Sequence, residues 1–507
     1  MRRPEGGAAV GDRFVSTGLM IVLVLAATWA WWAWQQGAYF GTVLYPGIVV
    51  LCAVGALVVM LVPWPLRLRA SPPAALALFA LAGLGLWSIA SALWSPSPET
   101  AVADGQRILT YAIAFGAGMW AAAMLGRHAR LTMVPLAFAA AFAATAVIVG
   151  MLTTGTPKEL LEVDGTLDYP LGYRNATAAF FLIAVWPALG VAADRDMDWR
   201  LRGPALAAAS SCIGIALLSQ SRGAIPAVAL AVVVYALASK QRSRALLWLV
   251  LAALPALFVL PAATDLYRAV NDTRAAEALP ELRAAGRALL GCAALAMLIG
   301  FAGAWIDSRR ALPAPAMRRI DRGVGIGVVI AIAGGLAAFT VAVGDPVDWI
   351  GDRAEEFRSA GSPNLDRASG RFTLNAGSNR YDLWRVALDS VRDEPALGEG
   401  GGGFQYEYTR ERESEGQDAR DAHNVGLEVV SELGVPGLTM LLLALGGAAL
   451  GAARSRGVGP SAAALTAVAL AAGAYWLAHS SVDWFWTYPA LTAPVFALLG
   501  AACAPAM

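Results

Sequence analysis

The stretch Ala-His-Asn-Val-Gly-Leu-Glu-Val-Val-Ser-Glu-Leu-Gly-Val-Pro-Gly, Ala422 to Gly437, is where a long polar segment turns back into apolar sequence. Ahead of it, residues 345–421 are rich in Gly and carry ten arginines. On either side of that segment the apolar residues come in runs of about twenty, the length that crosses about 30 Å of hydrocarbon as helix. Working outward from this boundary, fourteen candidate spans can be placed. They lie at 15–35, 42–62, 74–94, 107–125, 131–153, 175–193, 204–220, 223–239, 245–262, 287–305, 323–344, 424–453, 462–480 and 484–505.

Composition agrees with that division. The 507 residues are 58% hydrophobic and 15% charged, against about 25% charged in soluble domains, and mean hydropathy is +0.57. The expected fold is all-α: a polytopic transmembrane helical bundle of about 12–14 spans with a large, partly helical extracytoplasmic loop. The chain divides into membrane helices over 1–344, the loop over 345–423 and membrane helices over 424–507. The run that follows Arg2, Arg3 and Arg13 is too long for a cleaved leader. It ends in Trp29, Trp31, Trp32 and Trp34, which read as an interfacial belt.

Charge sets the expected orientation. With the N-terminus inside, the inside connections hold Arg67 and Arg69, Arg127 and Arg130, Arg195, Arg200 and Arg202, Lys240, Arg242 and Arg244, Arg309 to Arg322, and Arg454 and Arg456. Each is short and basic, as the positive-inside rule requires. The alternate connections at 95–106 and 154–174 are acidic, and that at 479–486 is aromatic. The pattern places both termini in the cytoplasm, the protein in the cytoplasmic membrane, and the large loop outside.

Several function classes find no support. A net charge of +1 makes no case for nucleic acid. The cysteines Cys52, Cys212, Cys292 and Cys503 lie in apolar runs and form no metal or disulfide pattern. No HExxH, Cys/His cluster or GxSxG is present, so neither a metal nor a cofactor is expected. Gly398, Gly400 and Gly403 formally match GxGxxG, but no strand–helix unit surrounds them. They read as a flexible turn, or else as a close backbone approach to phosphate. Asp196 and Asp198 form a DxD in a turn with no room for a nucleotide domain.

Polar residues at membrane boundaries remain. Arg222 interrupts a long apolar stretch, where a charge either faces a partner or anchors a helix end. Within the loop, residues 380–392 place Leu383, Trp384, Ala387, Leu388 and Val391 at helical spacing, stopped by Pro395. Arg380 and Arg385 lie on this helix but five residues apart, so only one should point at a substrate. Arg suits phosphate because its planar fork donates paired hydrogen bonds and stays charged. His423 stands at the re-entry point and is either structural or a general base. Glu428 and Glu432 follow it into apolar sequence and could orient His423 or pair with an Arg. His479 and Asp483 form an interfacial anchor or a second wall of the site. A second surface helix is expected within 264–287.

Taken in order, these segments resemble the O-antigen ligase and O-antigen polymerase superfamily of membrane glycosyltransferases. Ser221-Arg-Gly resembles its SRG motif. Arg380-Tyr-Asp-Leu-Trp384 resembles its R-x-x-x-W, and the turn from Pro395 to Gly400 its PxxGxG. His423-Asn424 with Glu432 to Gly437 resembles its HN…ExGxxG, and residues 168–179, DYPLGYRNATAA, its Asn-bearing segment. The resemblance implies metal-independent, inverting transfer of a glycan from undecaprenyl diphosphate. The acceptor hydroxyl would belong to a glycolipid, a polysaccharide or a protein. Arg222 and Arg380 would hold the diphosphate and His423 would take the acceptor's proton. Arg385, Asn424, Glu428, Glu432, Arg174 and Asn175 would line the substrate site. A transporter for a polyprenyl lipid or solute would instead place paired charges at mid-membrane in related halves, and a non-catalytic scaffold would need neither arrangement.

Overall fold

The computed structural model describes residues 6–61, 70–272, 278–309, 314–343, 348, 351, 352, 355, 380–413 and 418–504. Most of the loop ahead of Arg380 lies outside these residues, as do Arg67, Arg69 and Arg310. The described residues form helices and turns, with a single isolated bridge between Leu161 and Leu167.

In chain order the helices are α1 (Gly6–Ala33), α2 (Gly41–Leu61), α3 (Pro72–Ala90), α4 (Pro98–Leu125), α5 (Met133–Thr153) and α6 (Arg174–Ala193). Then come α7 (Trp199–Ser219), α8 (Ala224–Ala238), α9 (Arg242–Leu257), α10 (Leu260–Asp272), α11 (Leu279–Arg309) and α12 (Ala314–Val343). The loop contributes α13 (Arg380–Asp393) and α14 (Phe404–Glu411), and the chain ends in α15 (Val425–Ser455), α16 (Pro460–Ser480) and α17 (Pro489–Ala502). Each of the fourteen spans placed from sequence falls on one of these helices. Eight stretches among the described residues are long and apolar enough to cross a membrane, or nine with the bent pair α9–α10. One of them, Pro98–Thr153, contains both α4 and α5, while α2, α8 and α17 are shorter apolar helices. The protein is an integral membrane protein of all-α class.

Helix ends collect in two groups. At one end lie the basic connections. Arg202, Arg244 and Arg195 gather on Asp307, and Arg202 also lies under the Trp248 ring. Arg130 pairs with Asp196 at 2.6 Å, and Asp198 caps α7 through the Arg200 N–H. Those contacts account for the DxD as a helix-end device. At the other end lie the α1–α2, α3–α4, α5–α6, α7–α8 and α16–α17 turns and the loop helices. Trp29 and Trp32 are buried here rather than forming a belt. Trp29 donates to the Ala490 carbonyl at 2.8 Å and Trp34 to the Tyr169 hydroxyl at 2.6 Å, while Trp31 is exposed.

The loop has its own small core. α13 buries Leu383, Val386 and Ala387 against Phe404, Tyr408, Ala419 and Ala422. Leu388, assigned to the apolar face from spacing, is exposed. The second expected surface helix is α10, and α11 starts at Leu279, well ahead of the predicted 287.

The most informative local feature is a break in α15. Gly434 has φ +65°, which interrupts the helix two residues before Pro436. A break frees carbonyls that hydrocarbon cannot satisfy, so other protein groups must. The Ser431 carbonyl accepts the Glu399 N–H at 3.0 Å and the Glu432 carbonyl accepts the Gly400 N–H at 2.8 Å. The Leu433 carbonyl accepts the Trp87 indole at 2.9 Å. In return the Val435 N–H donates to the Pro395 carbonyl at 3.0 Å. The glycine turn that formally matched GxGxxG is therefore a plug for a broken helix. Gly398 and Gly400 have positive φ, and a Cβ at either would sit 2.5 Å from backbone of Glu432 or Ser95. Ser95 and Ser91 clamp the same turn through Gly401.

Gly434→Ala should lower the melting temperature in detergent. Its Cβ would meet the Ala396 carbonyl at 2.6 Å and its φ is positive, a combination that costs more than about 1 kcal/mol. Gly446→Ala, in open space on the same helix, should leave the melting temperature unchanged or raise it. Equal melting of the two variants would contradict the plugged break.

Candidate functional site

The turn between α16 and α17 is the floor of the site. Asp483 lies in it and is only 1% exposed. Burying a carboxylate is costly unless charge and hydrogen bonds compensate, and here they come from three separate segments. Tyr173 donates its hydroxyl at 3.1 Å and Asn175 its amide at 2.8 Å. The Trp484 N–H donates at 3.0 Å, and an Arg380 guanidinium nitrogen lies 3.4 Å away. Asp483 thereby ties the start of α6 and the start of α13 to the α16–α17 turn.

His423 approaches the same turn from the loop, with its ring 6.0 Å from that of Trp484. Its backbone is in the left-handed region, φ +54°, uncommon for a residue with a Cβ. Its Nδ1 is 3.0 Å from the Asp421 carbonyl. A carbonyl can only accept, so Nδ1 carries the proton and Nε2 keeps its lone pair. Burial holds the imidazole below its ordinary pKa; Asp483 acts upward and Arg380 downward. The ring is neutral at pH 7, the state of a general base. Asn424 caps α15, accepting from the Gly426 and Leu427 N–H groups and donating to the Ser481 carbonyl at 3.0 Å. Such a cap is worth about 1 kcal/mol, and it fixes His423 one residue ahead of the helix.

Arg222 reaches this end on the α7–α8 turn. α7 stops at Gln220, which is left-handed at φ +49°. The residues on either side of Arg222 pack on His479. Ser221 Oγ is 3.3 Å from its Nε2, and a Cβ on Gly223 would be 2.9 Å from the same atom. His479 itself is fully buried and bonded to the Tyr475 hydroxyl at 2.8 Å.

The fold thus brings the segments of Arg222, Arg380, His423, Asn424 and Asn175 onto one turn. It does not bring Arg174 or Arg385 there. Arg174 is held by Glu162 at 2.7 Å and Asp164 at 2.6 Å. Arg385 is held by Asp382 at 2.7 Å and by the Glu411 carbonyl at 2.6 Å. Both are spent on local ion pairs. Glu428 and Glu432 neither reach His423 nor orient it. They line a cavity of about 280 Å³ together with Asp104, Arg107 and Asp421. Sequence reasoning missed Asp104, Arg107 and Tyr173. The first two form a pair along α4, and a charged i,i+3 pair at the head of an apolar helix was the available signal.

Arginine, imidazole and a buried carboxylate are thus gathered at one end of a helical membrane bundle. Residues 282–442 match the family model described as O-antigen ligase, and that match supports the O-antigen ligase superfamily. The match takes in Arg380, His423 and the plugged break in α15, and leaves Arg222 and Asp483 outside it. No curated protein matches the chain.

In ¹³C-histidine spectra, the resonance lost in His423→Gln should titrate below 6.5. Asp483→Asn should move that midpoint further down and Arg380→Gln should move it up, because the two charges act in opposite directions on the ring. A midpoint that ignores both substitutions would contradict the arrangement.

Proposed function

We propose that the protein is a glycosyltransferase. It moves a glycan from an undecaprenyl-diphosphate-linked donor to an acceptor hydroxyl at the outer face of the cytoplasmic membrane, with both termini in the cytoplasm. The observation that carries this reading is the convergence of Arg380 and His423 on Asp483 within a chain matched to the O-antigen ligase family.

Arg380 and Arg222 bind the diphosphate and stabilise the charge that builds on its departing oxygen, an electrostatic role that needs no motion at the moment of reaction. His423 Nε2 takes the acceptor's O–H proton. The acceptor oxygen bonds to the anomeric carbon as the bond to the diphosphate breaks, and the electron pair leaves on the phosphate oxygen. Attack opposite the leaving group inverts the anomeric centre. Asp483 is a positioning residue: it holds Arg380 and Asn175 and sets the field at His423. The bond energy is already stored in the glycosyl diphosphate, so the reaction requires neither nucleotide nor metal. A polymerase of the same superfamily would use the same chemistry with a growing glycan as acceptor.

Reconstituted protein given a radiolabelled lipid-diphosphate glycan and its acceptor extract should transfer label in the presence of EDTA. His423→Ala should reduce the rate by about 10²–10⁴ and Arg222→Ala or Arg380→Ala by about 10²–10³. Undiminished transfer by properly inserted variants would overturn the assignment.

A further inference from the structure

Behind the 421–423 turn, the 280 Å³ cavity holds five carboxylates, Glu99, Asp104, Asp421, Glu428 and Glu432, against two guanidiniums, Arg107 and Arg420. We propose that this cavity is the subsite for the acceptor sugar, a neutral or amino-bearing monosaccharide unit held through its hydroxyls. The inference rests on the transferase reading above and adds the chemistry of the second substrate to it.

Charge comes first. A cavity whose carboxyls outnumber its guanidiniums, one of which is already paired with Asp104, offers a lipid diphosphate few partners, so its ligand is not the donor's anionic part. Carboxylates accept hydrogen bonds, and a sugar ring presents several O–H donors in a small volume. Glu428 is the second observation. It is 94% buried, as its 6% exposure states, and its Oε2 has no hydrogen-bond partner among the described residues. Leaving such an atom unmatched is costly, and a bound hydroxyl would satisfy it. A metal shell is not the alternative, because no group of three or more His, Cys, Asp or Glu among the described residues is placed to hold a metal ion. The volume equals about nine liquid waters, room for one sugar ring.

Position agrees with chemistry. Asp421 lines the cavity and its carbonyl fixes the tautomer of His423. Tyr39, at the rim, stands edge-on to Trp484 at 5.5 Å, and Trp484 faces His423 at 6.0 Å. The cavity therefore adjoins the proposed base. Burial pushes the Asp421 carboxyl up to about 7, so near neutral pH it serves as both donor and acceptor toward a hydroxyl.

Saturation-transfer NMR on the full chain in detergent tests this with free glucose, glucosamine and glucuronate. Glucose and glucosamine should bind, and glucuronate about tenfold more weakly or not at all. Glu428→Gln should weaken glucose about tenfold, the loss of one hydrogen bond to the buried carboxyl. Gln405→Trp, at a half-exposed position on the cavity wall, should abolish binding by filling the cavity, and it carries the test if Glu428→Gln does not fold. Binding of undecaprenyl diphosphate, measured on the same samples, should be unchanged. Sugar binding that ignores both substitutions, absence of binding, or equal binding of glucuronate would overturn the proposal. Normal sugar binding with no binding of undecaprenyl diphosphate would instead leave the subsite standing and sink the transferase reading.

Discussion

A carboxylate buried to 1% exposure, Asp483, is the constraint on which the site depends. An ionised group in that position needs several donors, and removing any one leaves a charge without compensation. The donors come from Tyr173, Asn175 and Arg380, which are distant in sequence and belong to α6 and the loop helix α13. The polar loop is therefore pinned to the membrane helices by an electrostatic requirement and not only by apolar packing. The same requirement aims Arg380 at the turn where His423 lies.

The second constraint is the broken helix α15. Its freed carbonyls at 431, 432 and 433 are met by backbone N–H groups of Glu399 and Gly400 and by the indole of Trp87. Hydrocarbon would meet none of them. The break and the glycine turn thus satisfy one another's backbone groups, and together they hold the loop's far end against α3 and α15. With Asp483 holding one end of α13 and the plugged break holding the chain after it, the loop helix is fixed at both ends. Further along the chain, Asn424 caps α15 and sets the register of His423.

Much of the fold was readable from sequence because the bilayer imposes a length on apolar runs, and every placed span corresponds to a helix. Short helices such as α8 and α17 were legible as elements but not as full crossings, since length alone separates the two. Arg222, Arg380 and His423 were legible as candidates because charge at a membrane boundary is expensive and stands out. The pairing of Arg174 with Glu162 and Asp164, and of Arg385 with Asp382, was not legible. Whether an arginine serves a substrate or a neighbouring carboxylate depends on side-chain directions that spacing does not give. The glycine turn was misleading for a related reason. Close backbone approach was the right physical reading of Gly398 and Gly400, but the thing approached is a helix, which no local pattern names.

Backbone strain completes the picture. The non-glycine residues with positive φ among the described residues are Gln36, Ala38, Gln220 and His423. Gln36 and Ala38 precede Tyr39 at the cavity rim, Gln220 precedes the Arg222 turn, and His423 is the proposed base. All four thus belong to turns at the same end of the bundle. Such conformations cost about 1–3 kcal/mol each and persist only where the surroundings over-determine them. A glycine would relieve the strain at position 423 but could not take a proton. The cost is met by the cap at Asn424 and the carbonyl of Asp421, which hold the ring in place.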